Sequence, residues 1–209
     1  MYAPEPFTLT DGAAIRAAMA AHPLAQLATN GPDGPLVTPL PLVARDEAEG
    51  LVLYGHFARA NPHWQALGEG VPSVAIFTGA QGYVSPGWYA TKRETGKVVP
   101  TWNYVTVQAR GVPLLCEPGA PTREAVEMLT DAMEAARPEP WQVADAPARF
   151  TEVMLRGIVA FRMVVTQLDA KAKLSQNRPE SDVAGTRDGL AADGHAALSN
   201  AVADASPYR

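Results

Sequence analysis

Leu24-Ala25-Gln26-Leu27-Ala28-Thr29, then Asn30-Gly31-Pro32-Asp33-Gly34, then Leu36-Val37-Thr38-Pro39-Leu40-Pro41-Leu42-Val43: two short apolar runs flank a cluster of strong turn formers. Runs of that length, closed by residues that accept a positive φ or preset a turn, predict a β-hairpin over residues 24–43. The same punctuation recurs along the chain, which carries 19 prolines and 17 glycines in 209 residues. Short β-branched stretches lie between them. The pattern therefore predicts many short strands rather than a helical bundle.

Toward the N-terminus, Thr10 and Asp11 offer capping oxygens to a helix with Ile15, Ala18 and Met19 on one face, and His22-Pro23 stops it. Toward the C-terminus, residues 51–56 form a third strand, and Asn61-Pro62 starts a short helix carrying Trp64 and Leu67. Residues 74–77 and 83–85 read as two strand pieces around a turn at Gly79 to Gly82. Residues 104–115 are the longest extended run, with a bulge or change of direction expected at Gly111. Helical spacing returns over 121–136 and 147–155, and 157–168 is strand again. Together these make one mainly β (α+β) domain over residues 1–178, with helices at its rims. Residues 179–209 are dominated by Ala, Asp and Gly and read as a C-terminal arm or tail in which only 192–202 has helical character.

The chain carries 22 acids against 17 bases, a net charge of -5. That balance argues against a surface whose main task is to grip nucleic-acid backbones, and leaves open a DNA contact through one local patch. The single cysteine, Cys116, excludes an internal disulfide framework, and no Cys/His cluster has zinc spacing. The N-terminus has neither a basic region nor an apolar stretch, and no window approaches about 18 apolar residues. The expectation is a cytoplasmic protein that does not span a membrane.

Four segments hold more polar and aromatic character than folding demands. In Tyr54-Gly55-His56-Phe57-Ala58-Arg59-Ala60-Asn61-Pro62-His63-Trp64 a strand ends in a loop that becomes a helix N-terminus. Unpaired backbone N–H groups beside an arginine make a phosphate cradle, which would give Arg59 and Asn61 a ligand role with His56 close by. The alternative is that Asn61 is only a cap and Arg59 a solvated loop residue. Gly82-Tyr83-Val84-Ser85-Pro86-Gly87-Trp88-Tyr89 is either a stacking or interface surface or an aromatic mini-core under a loop. Val98-Val99-Pro100-Thr101-Trp102-Asn103-Tyr104 enters the long strand with its last three residues alternating between faces. Lys171-Ala172-Lys173-Leu174-Ser175-Gln176-Asn177-Arg178 is either a solvated strand exit or a binding segment. His22, His63 and His195 have no Ser or Cys nucleophile in a recognisable arrangement, and no P-loop is present, so hydrolase and kinase chemistry are not expected and no catalytic residue is assigned.

Met1-Tyr2-Ala3-Pro4, His56-Phe57-Ala58-Arg59-Ala60-Asn61-Pro62, Tyr83 to Tyr89, Val99-Pro100-Thr101-Trp102-Asn103-Tyr104 and Lys173-Leu174-Ser175-Gln176-Asn177-Arg178 together resemble the PaiB family, FMN-binding proteins described as negative transcriptional regulators. The resemblance runs over about residues 1–180 and implies a split β-barrel, assembled as a homodimer with FMN at the subunit interface. It implies that Arg59 and Asn61 hold the FMN phosphate near His56, and that Thr38 and Pro39 lie against the ring edge. It further implies that Trp102, Asn103 and Thr106 enter from the long strand, and that Lys173 and Gln176 close the site. Three functions follow as expectations. The first is a flavin-binding regulator or flavin-sensing module. The second is a flavin-dependent oxidoreductase, and the third a barrel that binds another planar or anionic ligand.

Overall fold

The expected hairpin forms over residues 24–41, short of Leu42 and Val43, within a seven-stranded sheet. The computed structural model describes residues 1–67 and 70–208. In chain order the elements are α1 (Gly12–Ala21), β1 (Leu24–Gly31), β2 (Gly34–Pro41), β3 (Val43–Glu47), β4 (Gly50–Ala58) and α2 (His63–Leu67). They continue with β5 (Ser73–Val84), α3 (Ala90–Thr95), β6 (Thr101–Leu115), α4 (Ala120–Glu134), α5 (Ala148–Arg156), β7 (Ile158–Lys173), α6 (Glu180–Ala192) and α7 (Ala196–Asp204). Asp11 caps α1 as expected, its Oδ1 accepting from the Ala13 N–H at 2.9 Å.

The sheet order is β2-β1-β5-β6-β7-β4-β3. β1 pairs antiparallel with β2 from Leu24↔Pro41 to Gly31↔Gly34, so Pro32 and Asp33 alone make the turn. The returning strand is not one piece. It ends at Pro41, and β3 begins at Val43 after the buried Leu42, so residues 51–56 lie in the fourth strand rather than the third. β2 and β3 stand at opposite ends of the strand order, yet Leu42 alone separates them in the chain. Prolines 35, 39 and 41 sit in the end strand β2, where a missing N–H removes no interior ladder bond.

Two compact units divide the chain: residues 1–18, 78–107 and 169–209 make one, and residues 19–77 and 108–168 the other. All seven strands contribute to the second, called the barrel unit here. One of its core clusters joins Val43, Val52, Tyr54 and Ala160 to Ala125 and Leu129 of α4. The first, called the helical unit, holds α3, α6 and α7, with a core of Leu174, Val183, Leu190, Leu198 and Val202. Residues 180–192 are helical although their pattern is weak. Arg209, the last residue of the expected arm, lies outside the described residues. Among the described residues no helix is long and apolar enough to cross a membrane.

Glycines account for the two strand breaks expected from sequence and not found. β5 runs unbroken through Gly79 and Gly82. At Gly82 a Cβ would come within 3.0 Å of a Leu198 methyl, so the glycine accommodates α7 rather than a turn. β6 runs unbroken through Gly111, where a Cβ would meet the Val164 carbonyl oxygen of β7 at 2.2 Å. That contact is backbone and cannot swing aside, so Gly111→Ala is expected to cost about 2 kcal/mol or more by forcing β6 from β7. Urea unfolding measures it, and an unchanged midpoint would show that the close approach is not required.

Candidate functional site

The strand-loop-helix segment from β4 to α2 carries a polar network in the barrel unit. The antiparallel ladder from Val52↔Val164 to Ala58↔Ile158 delivers residues 56–61 to the start of β7. Asn61 then caps α2: its Oδ1 accepts from the His63 N–H at 3.0 Å. The same amide points Nδ2 at Thr38 Oγ1, 3.4 Å away, and Thr38 Oγ1 lies 2.8 Å from His63 Nδ1. Thr38, Asn61 and His63 thus form one chain of hydrogen bonds. His63 is 2% exposed, stands 5.1 Å from the Phe57 ring, and its Nε2 is buried without a partner. Burial holds its pKa below the ordinary histidine value, so the ring is neutral at pH 7. In the sequence His63 shows only that no nucleophile stands beside it. Its place in the network follows from a strand 25 residues away, which no local window shows.

The Arg59 side chain makes its bonds outside that network. Its Nε donates to the Arg156 carbonyl at 2.7 Å and its Nη2 to the Ile158 carbonyl at 2.8 Å, while its own N–H donates to Gly157. These bonds clamp the start of β7. A guanidinium carries five N–H groups, so three remain. The side chain is exposed and lines a cavity of about 650 Å³ together with Arg123, Arg156, Thr122 and Glu152. Since α2 has only five residues, its dipole is small, and the anion-binding capacity here resides in Arg59 more than in the helix end.

His56 faces a different surface, an apolar pocket of about 230 Å³ with Trp141, Phe150 and Met154, and its Nδ1 is buried without a partner. Desolvation lowers its pKa too. Pro39 is exposed on β2, opposite Gln26.

In the helical unit, the face alternation expected for the long strand is present. Trp102 is 49% exposed, makes an edge contact with Tyr83 and donates from Nε1 to Gln81 Oε1 at 3.3 Å. Thr106 shares its side of the strand, whereas Asn103 is fully buried on the other, with Nδ2 donating to Ser175 Oγ at 2.9 Å. Lys173 donates to Thr101 Oγ1, and both line a small polar pocket with Asn103 and Arg178. Gln176 spends its amide on the Ala172 carbonyl and the Leu174 N–H. Lys171 is buried, donating to the Tyr2 carbonyl at 3.3 Å with its ammonium 5.2 Å from the Tyr104 ring centroid. Of the aromatic run, Tyr89 is 1% exposed and Trp88 packs against Gly185 and Gly189 of α6, while Tyr83 stays exposed. The run is mostly a mini-core.

The family model described as "Putative FMN-binding domain" matches residues 1–167. The Bacillus subtilis protein named "Protease synthase and sporulation protein PAI 2" is 31% identical over 182 residues, which cover 87% of this chain and 85% of that one. An uncharacterized protein of Aspergillus fumigatus is 32% identical, with 75% of this chain and 74% of that one covered. Among solved structures, the FAD and heme binding protein from Mycobacterium smegmatis superposes with a TM-score of 0.62 at 19% identity, over 85% of this chain and 78% of that one. The flavocytochrome Anf3 from Azotobacter vinelandii does so with a TM-score of 0.59 at 18% identity, over 85% and 74%. These likenesses identify the fold as the mainly β (α+β) split barrel with peripheral helices.

The buried His63 and the half-buried His56 set a pH dependence. Their folded-state pKa values lie below those of the unfolded chain, so in the interval between them the unfolded chain binds more protons. The stability they contribute is complete above about pH 6.5, the unfolded histidine value, and is lost as pH falls through the folded values. The urea midpoint is expected to drop from pH 7.5 to pH 5.5, and to drop less in the His56→Gln/His63→Gln double variant. Equal drops in both proteins would contradict the assignment.

Proposed function

From the premise that the chain belongs to the PaiB family of FMN-binding domains, we propose that it is an FMN-binding protein whose flavin, held by a homodimer, serves regulation or flavin sensing. The observation that carries the reading is the Thr38-Asn61-His63 network, with its unspent His63 Nε2, on the segment that also supplies Arg59. These groups suit the cofactor. FMN presents ribityl hydroxyls, ring carbonyls and a phosphate dianion; the network offers hydroxyl, amide and imidazole, and Arg59 offers three N–H groups with a fixed charge.

In this reading Arg59 meets the phosphate with Asn61 beside it, and Thr38 and Pro39 lie along the ring edge. His56, Trp102, Thr106 and Gln176 remain candidate contacts, whereas Asn103 and Lys173 line a pocket of their own. Bound FMN would supply reversible electron transfer. The protein's own contribution is orientation and a neutral, desolvated imidazole near the ring. The net charge of -5 argues that any effect on transcription does not run through a broad DNA-binding face, leaving at most a local patch. A second reading, a flavin-dependent oxidoreductase acting on a small anionic substrate, is favoured by the cationic side chains that close β7, Lys173 and Arg178.

Titration of flavin-stripped protein with FMN tests the assignment. Arg59→Glu replaces a charge-assisted bond with repulsion and is expected to raise Kd at least tenfold, about 1.4 kcal/mol or more. Arg59→Lys, which keeps the charge without the fork, should retain more of the affinity. A folded Arg59→Glu protein with unchanged affinity would remove Arg59 from the site, and a wild-type protein that takes up no FMN would overturn the reading.

A further inference from the structure

The turn after β7, residues 173–178, is fixed by its own side chains. Gln176 donates from Nε2 to the Ala172 carbonyl at 2.6 Å and accepts from the Leu174 N–H at 2.7 Å, leaving neither end of its amide mobile. Ser175 has a φ of 67°, and among the described residues no other non-glycine has a positive φ. Serine seldom adopts that conformation unless its surroundings impose it. Here it brings Ser175 Oγ to the fully buried Asn103.

Between this turn and the start of β6 lies a pocket of about 190 Å³ lined by Thr101, Asn103, Lys173, Ser175, Asn177 and Arg178 with an apolar wall, and among the described residues no acid lines it. In a chain of net charge -5, two cations lining a pocket with no acid among its described lining are a departure that needs a reason. Asn103 supplies a second sign. Its Nδ2 is bonded to Ser175, but its Oδ1 is buried and has no partner. The two ends of an amide exchange on a half-turn of the side chain, so one polar end is unspent in either orientation. An unmet amide end at the wall of a pocket is a position for a ligand's hydrogen-bonding group. Lys173 gives one N–H to Thr101 and keeps two. Arg178 is steadied over Tyr89, its guanidinium carbon 4.7 Å from the ring centroid.

We propose that this pocket is a binding subsite for a small oxyanion, the carboxylate or phosphate of an anionic metabolite. Lys173 and Arg178 supply the charge, and Ser175, Asn177 and Asn103 the hydrogen bonds. Its volume is below the roughly 300 Å³ at which pockets begin to hold whole ligands, so it takes the charged end of a molecule and not an entire flavin. The proposal goes beyond the flavin reading and does not rest on it. The FMN phosphate and a separate ligand offer the same oxyanion chemistry; because the flavin reading gives the FMN phosphate to Arg59, the proposal gives this pocket to a separate ligand.

Calorimetric titration with inorganic phosphate and with succinate, on flavin-stripped and on FMN-saturated protein, tests the assignment. Saturable binding of at least one anion is expected in both preparations, weakened tenfold or more by Lys173→Gln and by Arg178→Gln and retained by Lys173→Arg. Arg178→Gln, at a position outside the strands and helices, keeps the test available if Lys173→Gln does not fold, as judged by its urea midpoint. No saturable binding of either anion, or unaltered affinity in both Gln variants, overturns the subsite. Binding abolished by FMN saturation also overturns it, since the pocket would then belong to the flavin phosphate. If the protein takes up no FMN, the flavin reading fails alone and the titration of the flavin-free protein still decides the subsite.

Discussion

The register of β4 on β7 is the constraint on which the barrel unit's chemistry depends. Seven consecutive pairs, from Val52↔Val164 to Ala58↔Ile158, fix where β4 ends and hence where Arg59, Asn61 and His63 begin. Both ends of the ladder are reinforced by arginine. At one end Arg59 binds the carbonyls of Arg156 and Ile158; at the other Arg162 reaches Glu47 at 3.2 Å and Glu49 at 2.8 Å, while Tyr54 donates to Glu47 at 2.6 Å. A slip of one residue would exchange the faces that His56 and Phe57 occupy and break both arginine clamps. Packing enforces the register from inside as well, because a Cβ on Gly55 would lie 2.4 Å from Leu42.

From that constraint follows a division of labour among polar groups. The network around His63 is short, half-buried and neutral, suited to recognising a ligand's hydroxyls and carbonyls without a large desolvation cost. The charges are carried by other side chains, whose stems or donors are already anchored: Arg59 by two carbonyls, Arg178 by an aromatic ring. An anchored cation loses less rotamer freedom on meeting an anion, so an acidic protein can bind phosphate groups at isolated points while offering no continuous surface to a duplex. Flavin chemistry asks for the former.

Much of the fold was legible because its signals are local. The Asn30 to Gly34 turn, the Asp11 cap and the Asn61-Pro62 helix start all act through groups within a few residues, and each stands where the sequence put it. What was hidden depended on distant partners. Gly82 and Gly111 read as breaks because a glycine's local meaning is flexibility, whereas here each clears space for α7 or for β7. The helix over residues 180–192 was obscured in the same way: Gly185 and Gly189 lower its helical signal, yet a Cβ at either would come within 2.2 Å of Trp88. The candidate site shows the same limit. Arg59 and Asn61 were recognisable from their chain neighbours, but the partnership of Thr38 with His63, and the burial of Asn103 against Ser175, exist only once strands pair.

The central claim is that this barrel is built to hold FMN. Its most direct test is the absorbance spectrum of the purified protein, followed by mass analysis of what denaturation releases. The account predicts a yellow protein that yields FMN. A colourless protein that stays colourless after incubation with FMN, or one that releases only a different chromophore, would contradict it.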